Sequence, residues 1–141
     1  YFAAGINGKN SEFHAAMGLV NLNHFREIKQ HRKSASELYE LNLPAKLKRL
    51  AWNENNSRNY SYFPVIFPSE ELLVKVLQAL QEAQIYPRRY FYPALNELPY
   101  LDYQACPQTE NIARRILCLP LSAEIQHHDV LRITNIINSV T

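Results

Sequence analysis

Two stretches concentrate side chains that could do chemistry. The first is Gly5 to Gly18, GINGKNSEFHAAMG, which carries Asn7, Lys9, Asn10, Ser11 and Glu12. Asn10 or Ser11 offers a side-chain oxygen to the free amides of a helix start. Glu12 then falls in the first turn, where a carboxylate suits the positive end of the helix dipole. A polar, glycine-spaced loop at a helix start can receive an anion, because its amides point outward. An ordinary capped helix gives the same local pattern. The second stretch is Pro87 to Tyr100, PRRYFYPALNELPY, with two guanidinium groups and three consecutive aromatic rings. Arginine makes bidentate contacts to phosphate or carboxylate, and tyrosine offers an apolar face plus a hydroxyl. A buried aromatic strand whose arginines pair with carboxylates would read the same way.

The elements that must position these residues follow from periodicity. Residues 11–41 read as one long helix, with Leu19, Leu22, Phe25, Ile28, Ala35, Leu38 and Leu41 in a row. Arg26, Lys29, Arg32 and Lys33 form its solvated face, and Pro44 marks its end. Residues 42–51 suggest a short helix or turn, and 52–59 an asparagine-rich loop. Tyr60 to Phe67, YSYFPVIF, is the clearest strand. Pro64 cannot donate to a ladder, which places that strand at an edge or puts a bulge in it. Ser69 caps a helix over 70–83 with Leu72, Leu73, Val76, Leu77 and Leu80 inward. Residues 85–92 look extended and 93–106 form a loop. A short helix over 107–115 precedes a brief strand at 116–119. A last helix over 127–139 turns Val130, Ile133, Ile137 and Val140 inward. The alternation implies a small α/β or α+β fold with helices on one face of the sheet.

Composition bounds the function. The chain has 141 residues, 47% hydrophobic, with a net charge of +2, so charge alone implies neither a nucleic-acid nor a membrane partner. Its three glycines exclude GxGxxG and P-loop phosphate binding within the chain. Cys106 and Cys118 make no metal or redox spacing. His24 and His31 stand about 10 Å apart along the helix, too far to share an ion. His127 and His128 read as surface residues. No metal site is expected. No apolar run approaches the roughly 20 residues that span a bilayer, and no signal peptide is visible, so a reducing, cytoplasmic setting is expected. The chain begins at Tyr1 and its only methionine is Met17, which leads us to expect an upstream portion.

The first stretch resembles the GxNxRxSExxAAxG segment of the DegT/DnrJ/StrS sugar aminotransferases. Gly5, Asn7, Ser11, Glu12, Ala15, Ala16 and Gly18 match, and Lys9 stands where arginine is usual. The second resembles the family's GIxxRxxYxPLH…PY segment through Arg89, Tyr92, Pro93, Leu95, Pro99 and Tyr100. Asn96 replaces the usual histidine. The form RRYFYP is similar to a subgroup acting on nucleotide-linked 6-deoxy keto-sugars. TENIA at 109–113 and LCLPL at 117–121 resemble a further stretch of the family.

The resemblance implies the aspartate-aminotransferase-like fold and pyridoxal phosphate as cofactor. It implies transfer of an amino group, from glutamate, to a nucleotide-linked keto-sugar by a homodimer. The Schiff-base lysine would lie in a large domain outside this chain, so no catalytic residue is expected here. Residues 1–41 would be the leading loop and connector helix, and 42–141 the small C-terminal domain. Asn7 would reach the cofactor phosphate of the neighbouring subunit. Lys9, Arg89, Tyr90 and Tyr92 would meet the substrate, although the pattern does not fix which of the two tyrosines faces in. Two other readings stay open: a non-catalytic family member that regulates or binds sugars, and a stand-alone ligand-binding α+β module.

Overall fold

The computed structural model describes residues 8–53 and 55–141. Asn7 lies outside them. The elements are α1 (Glu12–Asn42), β1 (Lys48–Arg49), β2 (Phe63–Ile66), α2 (Glu70–Glu82), a 3-10 turn (Leu95–Glu97), α3 (Pro107–Arg115), β3 (Ile116–Leu119) and α4 (His127–Val140).

Ser11 is the cap of α1, its hydroxyl accepting from the His14 amide at 3.4 Å. The helix has two halves of different character. Ala35, Ser36 and Tyr39 are buried in the second half, whereas Leu19, Leu22 and Phe25 are exposed. Leu41 is also exposed, which corrects the expected row: Tyr39, two residues earlier, holds the buried position instead. Ser69 caps α2 and accepts from the Leu72 amide at 3.3 Å. At the far end Ile85 donates to the Leu80 carbonyl at 2.8 Å, and Gln84 takes the left-handed conformation with φ 61. This closes the helix in the manner usually left to glycine.

The sheet is antiparallel, in the order β1-β2-β3. Phe63 faces Leu119 and Val65 faces Leu117, and all four side chains are buried on one face. Against them pack Tyr39 of α1, Leu73, Val76 and Leu80 of α2, and Val130, Ile133 and Ile137 of α4. The helices therefore cover one face of a small sheet, and alternate residues of β2 and β3 fill the core.

The strand containing Pro64 is central, not at an edge, and it is shorter than the sequence suggests. Cys118 exchanges both backbone hydrogen bonds with Arg88, at 2.8 and 3.0 Å. Its pairing with Pro64 is therefore the kind that exchanges none. The nitrogen of Pro64 points instead toward β1, which ends one residue short of it. Proline thus explains why β1 stops after Arg49, in a segment read from sequence as a helix or turn. Tyr60, at φ 53, lies in the left-handed region, so the extended run cannot reach back to it.

Candidate functional site

The uncovered face of the sheet forms the floor of a cavity of about 730 Å³. Pro64 and Cys118 supply the floor, Trp52, Tyr62, Tyr90 and Phe91 the aromatic walls, and Ser57, Asn59 and Ser61 the polar rim. The walls are mutually supported. Tyr62 and Tyr90 meet edge to face at 5.7 Å, and Tyr90 leans on Phe91 at 5.1 Å. The Arg88 guanidinium lies 5.6 Å from the Tyr90 ring centre and donates to its hydroxyl. That hydrogen bond raises the Arg88 pKa above the ordinary guanidinium value. The cavity offers stacking surfaces, hydroxyls and a nearby fixed cation, suited to a ring with polar substituents.

Arg89, Tyr90 and Tyr92 do not converge. The backbone at 88–90 alternates sides, so Tyr90 lines the cavity while Arg89 turns away. Arg89 donates to Glu70 at 2.8 Å and to the Arg114 carbonyl at 3.0 Å, and stacks 3.6 Å from the Tyr92 ring centre. The hydrogen bond from Arg89 holds the Glu70 carboxyl below the usual glutamate range. Lys9 is exposed ahead of α1 and is not among the residues lining this cavity. Arg88, Trp52 and Tyr62 were not singled out from sequence. For Arg88 a signal existed, because residues two apart share a face and it should have been grouped with Tyr90.

Asn96, where the resemblance leads one to expect histidine, is part of a polar staple. Its amide donates to the Gln104 carbonyl at 2.9 Å and to Glu110 at 2.6 Å. Glu110 also accepts from the Tyr103 hydroxyl at 3.1 Å and the Cys106 amide at 2.9 Å. Glu97 pairs with Arg114 at 3.0 Å. Two residues of α3 thus hold the 93–106 loop that follows the cavity wall. The Cys106 amide, first among these contacts, keeps the Glu110 carboxyl below the usual glutamate range. A lowered folded-state value means stability present above the unfolded value of about 4.3 and lost as pH falls through the folded one. The protection of the 93–106 amides, taken relative to the intrinsic exchange rate at each pH, should therefore fall as the solution is acidified below about pH 4. In Glu110→Gln the loop should exchange faster already at neutral pH, with a smaller further change on acidification. An unchanged acid response in that variant would remove Glu110 from this role.

His127 is tied to α1 by a 3.0 Å contact with Ser34, and His24 sits 3.8 Å from Glu27. Among the described residues no group of three or more His, Cys, Asp or Glu could hold a metal ion. No helix among them is long and apolar enough to cross a membrane.

Residues 2–138 match the DegT/DnrJ/EryC1/StrS aminotransferase family. The chain belongs to this family. It is similar to the dTDP-4-amino-4,6-dideoxy-D-glucose transaminase of Escherichia coli, with 31% identity over 96% of this chain and 39% of the relative. The Shigella dysenteriae protein of the same description is 33% identical over 86% of this chain and 35% of its own. Among solved structures, the aminotransferase TlmJ from Streptoalloteichus hindustanus superposes with a TM-score of 0.86 at 20% identity, over 99% of this chain and 38% of that one. That likeness shows the fold. The chain thus spans less than two fifths of the length of the curated relatives it matches.

Members of a pyridoxal phosphate family need a lysine for the Schiff base and a partner for the ring nitrogen. Among the described residues neither a lysine nor a carboxylate lines the cavity. Lys46 is engaged with the Thr141 carbonyl, and Lys29 and Lys33 sit on α1 beside a different hollow.

Proposed function

We propose that this chain is the small-domain part of an enzyme that transfers an amino group from glutamate to a nucleotide-linked 6-deoxy keto-sugar. The observation that carries the reading is the family match over residues 2–138, together with a transaminase relative 31% identical. Pyridoxal phosphate, when bound, supplies the electron sink for removing the Cα proton. Its lysine and ring-nitrogen partner come from outside the described residues. Asn7 holds the cofactor phosphate of the neighbouring subunit, and Lys9 adds positive charge toward the phosphates of cofactor or substrate. Both roles rest on the GINGKNSE resemblance. Tyr90 and its aromatic neighbours present flat apolar surface to a substrate ring. Arg89, turned away from the cavity and paired with Glu70, braces the segment that carries Tyr90. The working unit is a homodimer in the cytoplasm.

The test uses full-length protein loaded with pyridoxal phosphate. The relative's printed name selects the first amino sugar, dTDP-4-amino-4,6-dideoxy-D-glucose, offered with 2-oxoglutarate. Glutamate should accumulate together with the dTDP-linked keto-sugar. The 141-residue chain alone should produce none. Cofactor-loaded, folded enzyme that makes no glutamate from any nucleotide amino sugar would overturn the reading. Activity in the isolated chain would overturn its assignment as a contributing part.

A further inference from the structure

A hollow of about 420 Å³ lies at the far end of β3, and Arg32 of α1 lines it. Ser61 ahead of β2, Tyr86 and Arg88 beyond α2, and Leu121 and Ser122 after β3 are also in its lining. Among the described residues no carboxylate lines it. From sequence Arg32 belongs to the solvated cations of α1. In the fold it is half-buried, and its Nε is sealed from solvent without a hydrogen-bond partner. No hydrogen bond or ion pair among the described residues engages its other nitrogens. Other arginines differ. Arg49 and Arg89 also leave Nε unpaired, but their terminal nitrogens are bonded. Arg58, beside Lys29 and Lys33 of α1, rests on the Trp52 and Tyr60 rings. Arg88 donates to the Tyr90 hydroxyl. A charged group drawn part-way out of water without an acceptor is costly, so Arg32 calls for a partner that the described residues do not supply.

Arg32 also stands at a boundary. Residues 8–27 are exposed throughout, whereas Ala35, Ser36 and Tyr39 are buried. The exposed half of the helix is apolar on two sides. Phe13, Met17 and Val20 lie four and three apart along one, and Leu19, Leu22 and Phe25 lie three apart along the other. A helix apolar all round is built to be buried. Arg32 follows Phe25 by seven residues, two turns, and so shares its side. A body that covers Leu22 and Phe25 therefore arrives beside the hollow. This chain spans less than two fifths of its curated relatives, which leaves room for such a body in the same polypeptide. We propose that the part of the polypeptide outside residues 1–141 docks on the first half of α1 and places an Asp or Glu carboxylate on Arg32. The Ser61 and Ser122 hydroxyls line the same hollow. One guanidinium matches one carboxylate in charge and in fork geometry. Covering the apolar side shields the pair from water, and tethering raises the effective concentration of the carboxylate above that of a free anion. The inference rests on the reading of the chain as part of a larger enzyme.

A crystal structure of the full-length protein reads the contact directly. A carboxylate oxygen from outside residues 1–141 of the same polypeptide should lie within about 4 Å of the guanidinium. In solution, Arg32→Gln in the full-length protein should lower the hydrogen-exchange protection of residues 12–25 about tenfold, the loss of one charge-assisted contact. Arg32→Lys keeps the charge and should lower it less. Changing the acidic partner to its amide should give the same loss as Arg32→Gln, and the double variant should lose no more than either single one. A guanidinium that faces water, holds a small anion or meets a carboxylate of a second copy overturns the proposal. So do unchanged protection in Arg32→Gln and losses that add in the double variant. None of these readouts uses transamination. Inactive enzyme with Arg32 paired sinks the reaction reading and leaves the docking contact, whereas active enzyme with Arg32 unpaired does the reverse.

Discussion

Tyr39→Ala should destabilise the fold by about 3–5 kcal/mol, the range for emptying a large aromatic core position. Tyr39 is fully excluded from solvent near the middle of the core. Its ring stands 4.8 Å from that of Phe63 on the central strand, and its hydroxyl donates to the Pro120 carbonyl at 3.0 Å. The residue therefore joins α1 both to the sheet and to the segment leaving β3. Alanine would leave a cavity and strand that carbonyl without its donor. A loss of this size is a large part of the stability of an ordinary domain, about 5–15 kcal/mol. Tyr39→Phe keeps the ring and loses only the hydrogen bond, so it should cost about 1 kcal/mol. Urea denaturation of both variants checks the pair. An unshifted midpoint for Tyr39→Ala would mean that α1 is not docked through this residue.

The same side chain gives an alkaline signature. Burial, and secondarily the charge of Asp129, push the Tyr39 phenol well above its ordinary value. A raised folded-state value means that the neutral phenol is favoured by folding. The stability it contributes is complete below the unfolded value of about 10 and is lost as pH rises through the folded one. The native protein should weaken above about pH 10 more steeply than Tyr39→Phe.

The helices were legible because each carries its own start and stop. Ser69 and the leucines at helical spacing give α2, and Pro107 with the two terminal arginines gives α3. The sheet was harder to read. β1 has only two residues and exists through pairing with β2, which no local pattern announces. The central position of β2 was hidden because a proline in a strand argues for an edge. That argument holds locally, since β1 ends before reaching Pro64. The apolar row of α1 was visible, but which part of it is covered depends on neighbours that a periodicity does not name. At the site, the resemblance points to Tyr90 and to Arg89, but the cation that shares a side with Tyr90 is Arg88. A strict two-residue alternation selects Arg88, while Arg89 is claimed by Glu70, nineteen residues upstream. Arg58 was the least legible. Its partners Trp52 and Tyr60 are close in sequence, but the α1 cations it joins lie more than twenty positions earlier.

Arg49→Ala should cost about 2–3 kcal/mol, because it leaves the Leu43 and Leu47 carbonyls without the arginine donor and takes one of two donors from that of Pro44. The turn between α1 and β1 has little regular hydrogen bonding of its own. Arg49 supplies it: one terminal nitrogen donates to the carbonyls of Pro44, at 3.0 Å, and Leu47, and the other to that of Leu43 at 3.2 Å. Its Nε lies 3.4 Å from Glu40 without the alignment of a hydrogen bond. The side chain is largely buried, 16% exposed, so water cannot readily replace these contacts. Because Leu43 and Leu47 are core residues on either side of this turn, loosening it also loosens their packing. Arg49→Lys keeps the charge, but one ammonium cannot reach carbonyls spread across a fork, so it should recover less than half of the loss. Glu40→Gln should cost no more than about 1 kcal/mol, as expected for a partly exposed ion pair. Denaturant midpoints at low and high salt separate the two contributions. The arginine effect should persist in high salt, because its main acceptors are neutral carbonyls. A loss that disappears with salt, or full recovery by lysine, would show that the ion pair with Glu40 holds the turn instead.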